Sequence, residues 1–193
     1  QIAEEKNLVL MEAMKTAYST AFSRLVLLTK TGKIGHVVSV DATCTSLKDE
    51  HVDQTDWNGF YEWGPTGLLP VFDILGTDYR TYMMTSHFDD EAQTVDKFTK
   101  IDLTFEHAVA SVKVGDGVKS EGELIISGTK GYIYVPAPWW NTEYFELRYE
   151  NPSNNKRYFY QLDGEGIRYE LAAFARAVER GNPLSNIDGN VTE

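Results

Sequence analysis

Between Phe98 and Val135 the apolar residues fall at every second position, and no other feature of the chain constrains its fold as strongly. Ile101, Leu103 and Phe105 alternate with Lys100, Asp102 and Thr104. Ala108, Ala110, Val112 and Val114 alternate in turn, then Leu124 with Ile126 and Ile133 with Val135. Side chains of a strand point alternately to its two faces, so this pattern predicts strands with one buried face. The interruptions are turn chemistry: Glu106-His107, Gly115-Asp116-Gly117 and Gly128-Thr129-Lys130-Gly131. Short connections join antiparallel neighbours. The expectation is a four-strand meander over Phe98–Phe105, Val109–Val114, Glu121–Ser127 and Gly131–Val135. Its opposite face carries Lys113, Glu121, Glu123, Ile125, Tyr132 and Tyr134. That mixture calls for a covering layer or a partner subunit.

The flanking segments are read from their own periodicities. Residues 1–7 read as the end of a helix, and Leu8-Val9-Leu10-Met11 as a short buried strand. A helix tail followed by a fully apolar strand resembles the close of a parallel α/β unit, so a piece of a longer protein is expected. Ser19 caps a helix that runs to about Lys30, and Gly32 stops it. His36–Thr45 reads as a strand and Lys48–Asn58 as a polar loop. Gly64-Pro65-Thr66-Gly67 separates an aromatic stretch from an apolar helix, Leu68–Leu75, with Pro70 in its first turn. Arg80–Phe88, Tyr144–Tyr149 and Arg157–Leu162 read as strands, and Asn151–Asn155 as a turn. Glu165 opens a last helix, where Ile167, Leu171, Phe174 and Val178 form one apolar stripe.

Charge and cysteine content exclude several function classes. A formal net charge of −11 over 193 residues argues against nucleic acid or an anionic membrane surface as partner. The single cysteine, Cys44, forms no intrachain disulfide, which fits a reducing compartment, and a cytoplasmic location is expected. No apolar run is long enough to span a bilayer. The four histidines are scattered, so no metal site is expected; His87 near Asp89 and Asp90 reads as a solvated loop. No nucleophile elbow is present. Gly115–Ser120 imitates part of a phosphate loop, but between two strands it is read as a hairpin turn.

Two places keep chemical interest. Lys15 and Tyr18 follow the apolar strand, where open α/β sheets bind ligands, and could donate to one; a surface lysine and a packing tyrosine is the competing reading. The second is Tyr61–Asp73, where Asp73 on an apolar helix needs a partner or water and Trp63 stands nearby. Trp139 and Trp140 suit either a sugar-stacking wall or a core and interface role.

Leu8–Met14, the helix ending Thr31-Gly32-Lys33-Ile34-Gly35, Ser127-Gly128-Thr129-Lys130-Gly131-Tyr132-Ile133 and Gly164–Glu170 leading to Gly181-Asn182-Pro183 occur in an order that resembles Gfo/Idh/MocA-type oxidoreductases. The resemblance implies an α+β fold: an open, predominantly antiparallel sheet with helices on one face. Residues 1–14 would be the remnant of the last Rossmann αβ element, and 15–193 the C-terminal substrate-binding and oligomerisation domain. It implies hydride transfer between NAD or NADP and a sugar, polyol or related alcohol. The usual catalytic lysine and the dinucleotide fingerprint both lie upstream, so no catalytic residue and no tightly bound cofactor are expected in this chain. Lys15, Tyr18, Asp73 and Trp63 would bind substrate, and Trp139, Trp140, Tyr132 and Tyr134 would line the pocket or an interface. A homodimer or larger assembly through the sheet face is expected. The chain departs from the family at Pro70 and Ile74, where an acid and a histidine or tyrosine are usual. That departure favours an alternative, a binding or assembly module that kept the fold and lost the chemistry.

Overall fold

The strand that organises the sheet precedes the alternating run. In the computed structural model, which describes residues 2–47, 59–88, 95–162 and 166–181, β1 (Val37–Ser46) lies fourth in an eight-stranded sheet. The others are β2 (Thr81–Phe88), β3 (Asp96–Thr104), β4 (Val109–Asp116), β5 (Leu124–Gly128), β6 (Gly131–Val135), β7 (Tyr144–Tyr149) and β8 (Lys156–Phe159). Their order is β2-β3-β4-β1-β5-β6-β7-β8. β1 runs parallel to β4, and every other pairing is antiparallel. The fold is an α+β domain with a mixed, mostly antiparallel sheet.

The expected meander is therefore two hairpin pairs with β1 inserted between them. Alternation assigns faces but not neighbours. The connection from Asp116 to Leu124 reverses direction but skips a neighbour; it passes the end of β1, and Gly117 and Val118 both donate their N–H to the Ser46 carbonyl. Gly115–Ser120 is thus a crossing and not a hairpin turn.

Helices α1 (Ile2–Glu5), α2 (Lys15–Tyr18), α3 (Thr20–Lys30), α4 (Gly59–Leu75) and α5 (Ile167–Arg180) complete the described chain. Ser19 caps α3 as expected, its hydroxyl accepting from the Phe22 N–H at 3.3 Å. α4 packs on β1, β3 and β4, and α3 packs beside it. Beneath them Val40, Ala42, Cys44, Val112, Val114, Leu124, Ile126, Ile133, Phe145 and Leu147 form one core.

Three local expectations are corrected. Residues 8–14 form no strand, and Leu8 and Leu10 are exposed; a short apolar strand needs partner strands, and none lies beside it among the described residues. α4 begins at Gly59, nine residues before the expected Leu68, and holds Pro65 and Pro70 in its interior. Packing outweighs the prolines' cost here. A Cβ on Gly67 would meet Val112 Cγ1 at 2.7 Å, so this glycine lets the helix sit close on β4. Finally, the stripe Ile167, Leu171, Phe174 and Val178 is 42–61% exposed, although α5 packs on α2 and buries Ala177. Periodicity marks an apolar face but not what covers it. The loops expected at Lys48–Asn58 and Asp89–Glu91, and the helix start at Glu165, lie outside the described residues.

Candidate functional site

The N-terminus of α4 is anchored by a buried carboxylate. Asp96, 4% exposed, accepts from the Phe60 N–H at 3.1 Å and from the Thr99 hydroxyl at 2.7 Å. Ser86 on β2 lies 2.7 Å from the same Thr99 hydroxyl. This chain of hydrogen bonds ties β2, β3 and the first turn of α4 together. A carboxylate at a helix N-terminus also complements the helix dipole. Asp96 was not legible as a cap, because it is 36 residues from the N–H it serves.

On one side α4 and the β2–β3 edge of the sheet stand apart. The resulting groove, about 660 Å³, is walled by Glu12–Met14, by α4 residues including Phe60, Glu62, Thr66, Leu68 and Phe72, and by Tyr79, Tyr82, Met84, Ile101 and Leu103. Tyr79 stacks on Phe72 with centroids 6.4 Å apart, and Tyr82 meets Tyr79 edge-on at 5.9 Å. An aromatic wall with a few hydroxyls and carboxylates at this volume is the form of a small-molecule site. Pro70 has no N–H to give the Thr66 carbonyl, and Thr66 lines the groove. Among the described residues, no lysine or arginine lines the groove.

The expected site residues are dispersed. Lys15 and Tyr18 lie on α2, directly after the Glu12–Met14 wall, with the Lys15 carbonyl near Gly166 at the start of α5. The Tyr18 hydroxyl lies 3.5 Å from the Glu12 carbonyl. Asp73 turns toward α3, with Lys30 Nζ 3.8 Å from its Oδ1, an atom that is buried and makes no hydrogen bond. Burial raises the Asp73 pKa, and Lys30 pulls it the other way. Trp63 donates to the Ser46 hydroxyl at 3.0 Å and contacts Trp140 at 4.8 Å. Trp139 is buried, packs on Phe22, and donates to the Thr43 carbonyl at 3.2 Å. Of the two readings for these tryptophans, Trp139 fills the core, while Trp140 is half-buried against it.

Tyr132 and Tyr134 lie on the outer sheet face. The Arg148 guanidinium sits 4.2 Å from the Tyr134 ring centroid and 5.9 Å from that of Tyr132. Tyr134 donates to Glu123 at 2.6 Å, and that bond, with burial, pushes its pKa up to about 12. Burial works against the Glu146 charge, but Arg148 and Arg157, at 2.7 and 2.6 Å, overcome it and lower its pKa. Glu121 is paired with Lys113 and Ser120, which hold its pKa down at about 2. This face is a network of paired charges, not an apolar layer. Among the described residues, no cluster of His, Cys, Asp and Glu is placed to hold a metal ion, and no helix is long and apolar enough to cross a membrane.

No family model and no curated protein matches the chain. Solved structures do. KijD10, a 3-ketoreductase from Actinomadura kijaniata in complex with NADP and TDP-benzene, superposes with a TM-score of 0.79 at 16% identity, over 95% of this chain and 58% of that one. An aldose-aldose oxidoreductase from Caulobacter crescentus complexed with glycerol gives 0.77 at 13% identity, over 94% and 57%. An oxidoreductase from Thermotoga maritima gives 0.74 at 16%, over 95% and 56%. The likeness shows a shared fold, and the chain spans little more than half the length of each of these proteins.

Proposed function

We propose that this chain is the substrate-binding and oligomerisation domain of an NAD(P)-dependent oxidoreductase acting on a sugar, polyol or related alcohol, of the Gfo/Idh/MocA type that its motifs resemble. The observation that carries this is the aromatic groove beside α4, on a fold shared with reductases crystallised with NADP or a polyol. A sugar ring lays its C–H face on Tyr79 and Tyr82 and offers hydroxyls to Glu12, Glu62 and Thr66. Lys15 and Tyr18, following the Glu12–Met14 wall, would add donors at its end. Asp73 and Trp63 would act from behind, by fixing α4. Positioning of this kind needs hydrogen-bond reach more than altered acidity.

Among the described residues the wall of the groove holds two carboxylates and no lysine or arginine, so the phosphates of a whole dinucleotide are assigned elsewhere. The hydride carrier and the proton-transferring lysine are therefore assigned to the remainder of the longer protein, with residues 1–14 as the junction. The outer sheet face is assigned to contact between protomers. Lys100 and Lys113 stand beside Asp41, Asp102 and Glu123, a bipolar arrangement that a two-fold axis can set against itself.

The test is a titration of the longer protein and of this chain with NADH and NADPH, followed by nicotinamide fluorescence. Binding by the longer protein alone supports the reading. Binding by neither removes the oxidoreductase reading and leaves the assembly module, which Pro70 and Ile74 favour.

A further inference from the structure

The carboxylates of the sheet and those of the groove are treated differently. On the outer sheet face Glu121 has Lys113, Glu123 has the Tyr134 hydroxyl, and Glu146 has Arg148 and Arg157. Asp41 and Asp102 accept from the Ser39 and Ser111 hydroxyls. Glu12 and Glu62, on the wall of the groove, have no such partners. Among the described residues their side chains make no hydrogen bond and no ion pair, and both are exposed. Glu62 lies in the first turn of α4, but Asp96 already accepts from the Phe60 N–H at that helix start. The rest of the wall is mostly aliphatic and aromatic, with Leu68, Phe72, Tyr79, Tyr82, Met84 and Leu103.

We propose that the groove selects a cationic substrate: a sugar or polyol in which a primary amine replaces one hydroxyl. This rests on the reading of the groove as a carbohydrate site and narrows its substrate class. An anionic sugar, such as a uronate or a sugar phosphate, meets two negative charges and no lysine or arginine among the described wall residues, in a chain of net charge −11. A neutral sugar gains only ordinary hydrogen bonds from Glu12 and Glu62. An ammonium group gains more. It offers three donors, and its bonds to a carboxylate are about twice as strong as those between neutral groups. It is also attracted to an aromatic face within about 6 Å of the ring centroid. Tyr79 and Tyr82, packed edge to face, supply such rings in the same wall. A ligand covering the wall displaces water and strengthens each of these attractions. Glu12 and Glu62 are therefore specificity-determining residues that hold the amine. Lys15, beyond the wall, serves a hydroxyl and not the amine.

The test is calorimetric titration of the longer protein, with NADPH present or absent, at low ionic strength and about pH 6, where an amine is charged. The probes are glucosamine and glucose aminated at its third or sixth carbon. The comparisons are glucose, glucuronate and N-acetylglucosamine, which keeps an amine's place and loses its charge. The expected result is that at least one aminated sugar binds about tenfold tighter than glucose, that salt shrinks this gain, and that glucuronate binds weakest. With Glu12→Gln and Glu62→Gln combined, the ratio of aminated sugar to glucose falls to about twofold or less, with unchanged circular dichroism; both side chains are exposed, so the fold does not depend on them. Glucose that binds as tightly as every aminated sugar overturns the proposal. So does a preference that survives the loss of both carboxylates. In either case, glucose binding that Tyr82→Ser weakens keeps the carbohydrate reading of the groove, so the two readings fail separately. If no sugar binds, both fall.

Discussion

Replacing Asp96 by alanine removes the hydrogen bonds that hold α4 at its start, and the cost follows from the contacts. The carboxylate accepts from the Phe60 N–H and from the Thr99 hydroxyl, and both Asp96 and Thr99 are buried. Loss of a helix-capping acceptor costs about 1–2 kcal/mol. The Thr99 hydroxyl keeps Ser86 within 2.7 Å, so its loss is limited to about 1 kcal/mol. The sum, about 2–3 kcal/mol, corresponds to roughly 4–12 °C in Tm for a chain of this size. Urea denaturation of the wild type and of Asp96→Ala and Asp96→Asn measures it. The asparagine keeps an acceptor in place and loses the charge, so it falls between the other two. A loss below about 0.5 kcal/mol for alanine, or equal losses for both, would show that packing alone holds α4 and would refute the argument.

Two further outcomes follow from the same helix. Burial raises the Asp73 pKa above its unfolded value, so the folded state holds the proton more tightly and this residue's contribution to stability falls as pH rises from about 4. Asp73→Asn should flatten that slope and match or exceed wild-type stability at pH 7 in urea titrations run from pH 4 to 8; an unchanged slope would contradict it. Gly67→Ala should cost about 1–3 kcal/mol despite alanine's better helix propensity, because its Cβ would stand 2.7 Å from Val112 Cγ1. A stabilised Gly67→Ala would mean that α4 is free to lift from β4.

The residues alone determined which side chains share a face. Alternation placed Val112, Val114, Leu124, Ile126, Ile133 and Val135 in the core, and a capping serine set the start of α3. These are local signals, carried by backbone geometry over a few residues. The resemblance of ordered motifs supplied the architecture that the solved structures share. What the tertiary structure decided is everything that depends on distant partners. β1 inserts between β4 and β5, two strands consecutive in sequence, although it lies far from both along the chain. α4 runs through two prolines because Asp96 and the close approach at Gly67 compensate for them. The groove appears only when α4, the Glu12–Met14 segment and the β2–β3 edge meet, so Lys15, Tyr18, Asp73 and Trp63 could be selected by residue type but not brought to one wall. A sequence carries the period of each element, while a site is set by which elements touch, and that is fixed by packing across the whole domain.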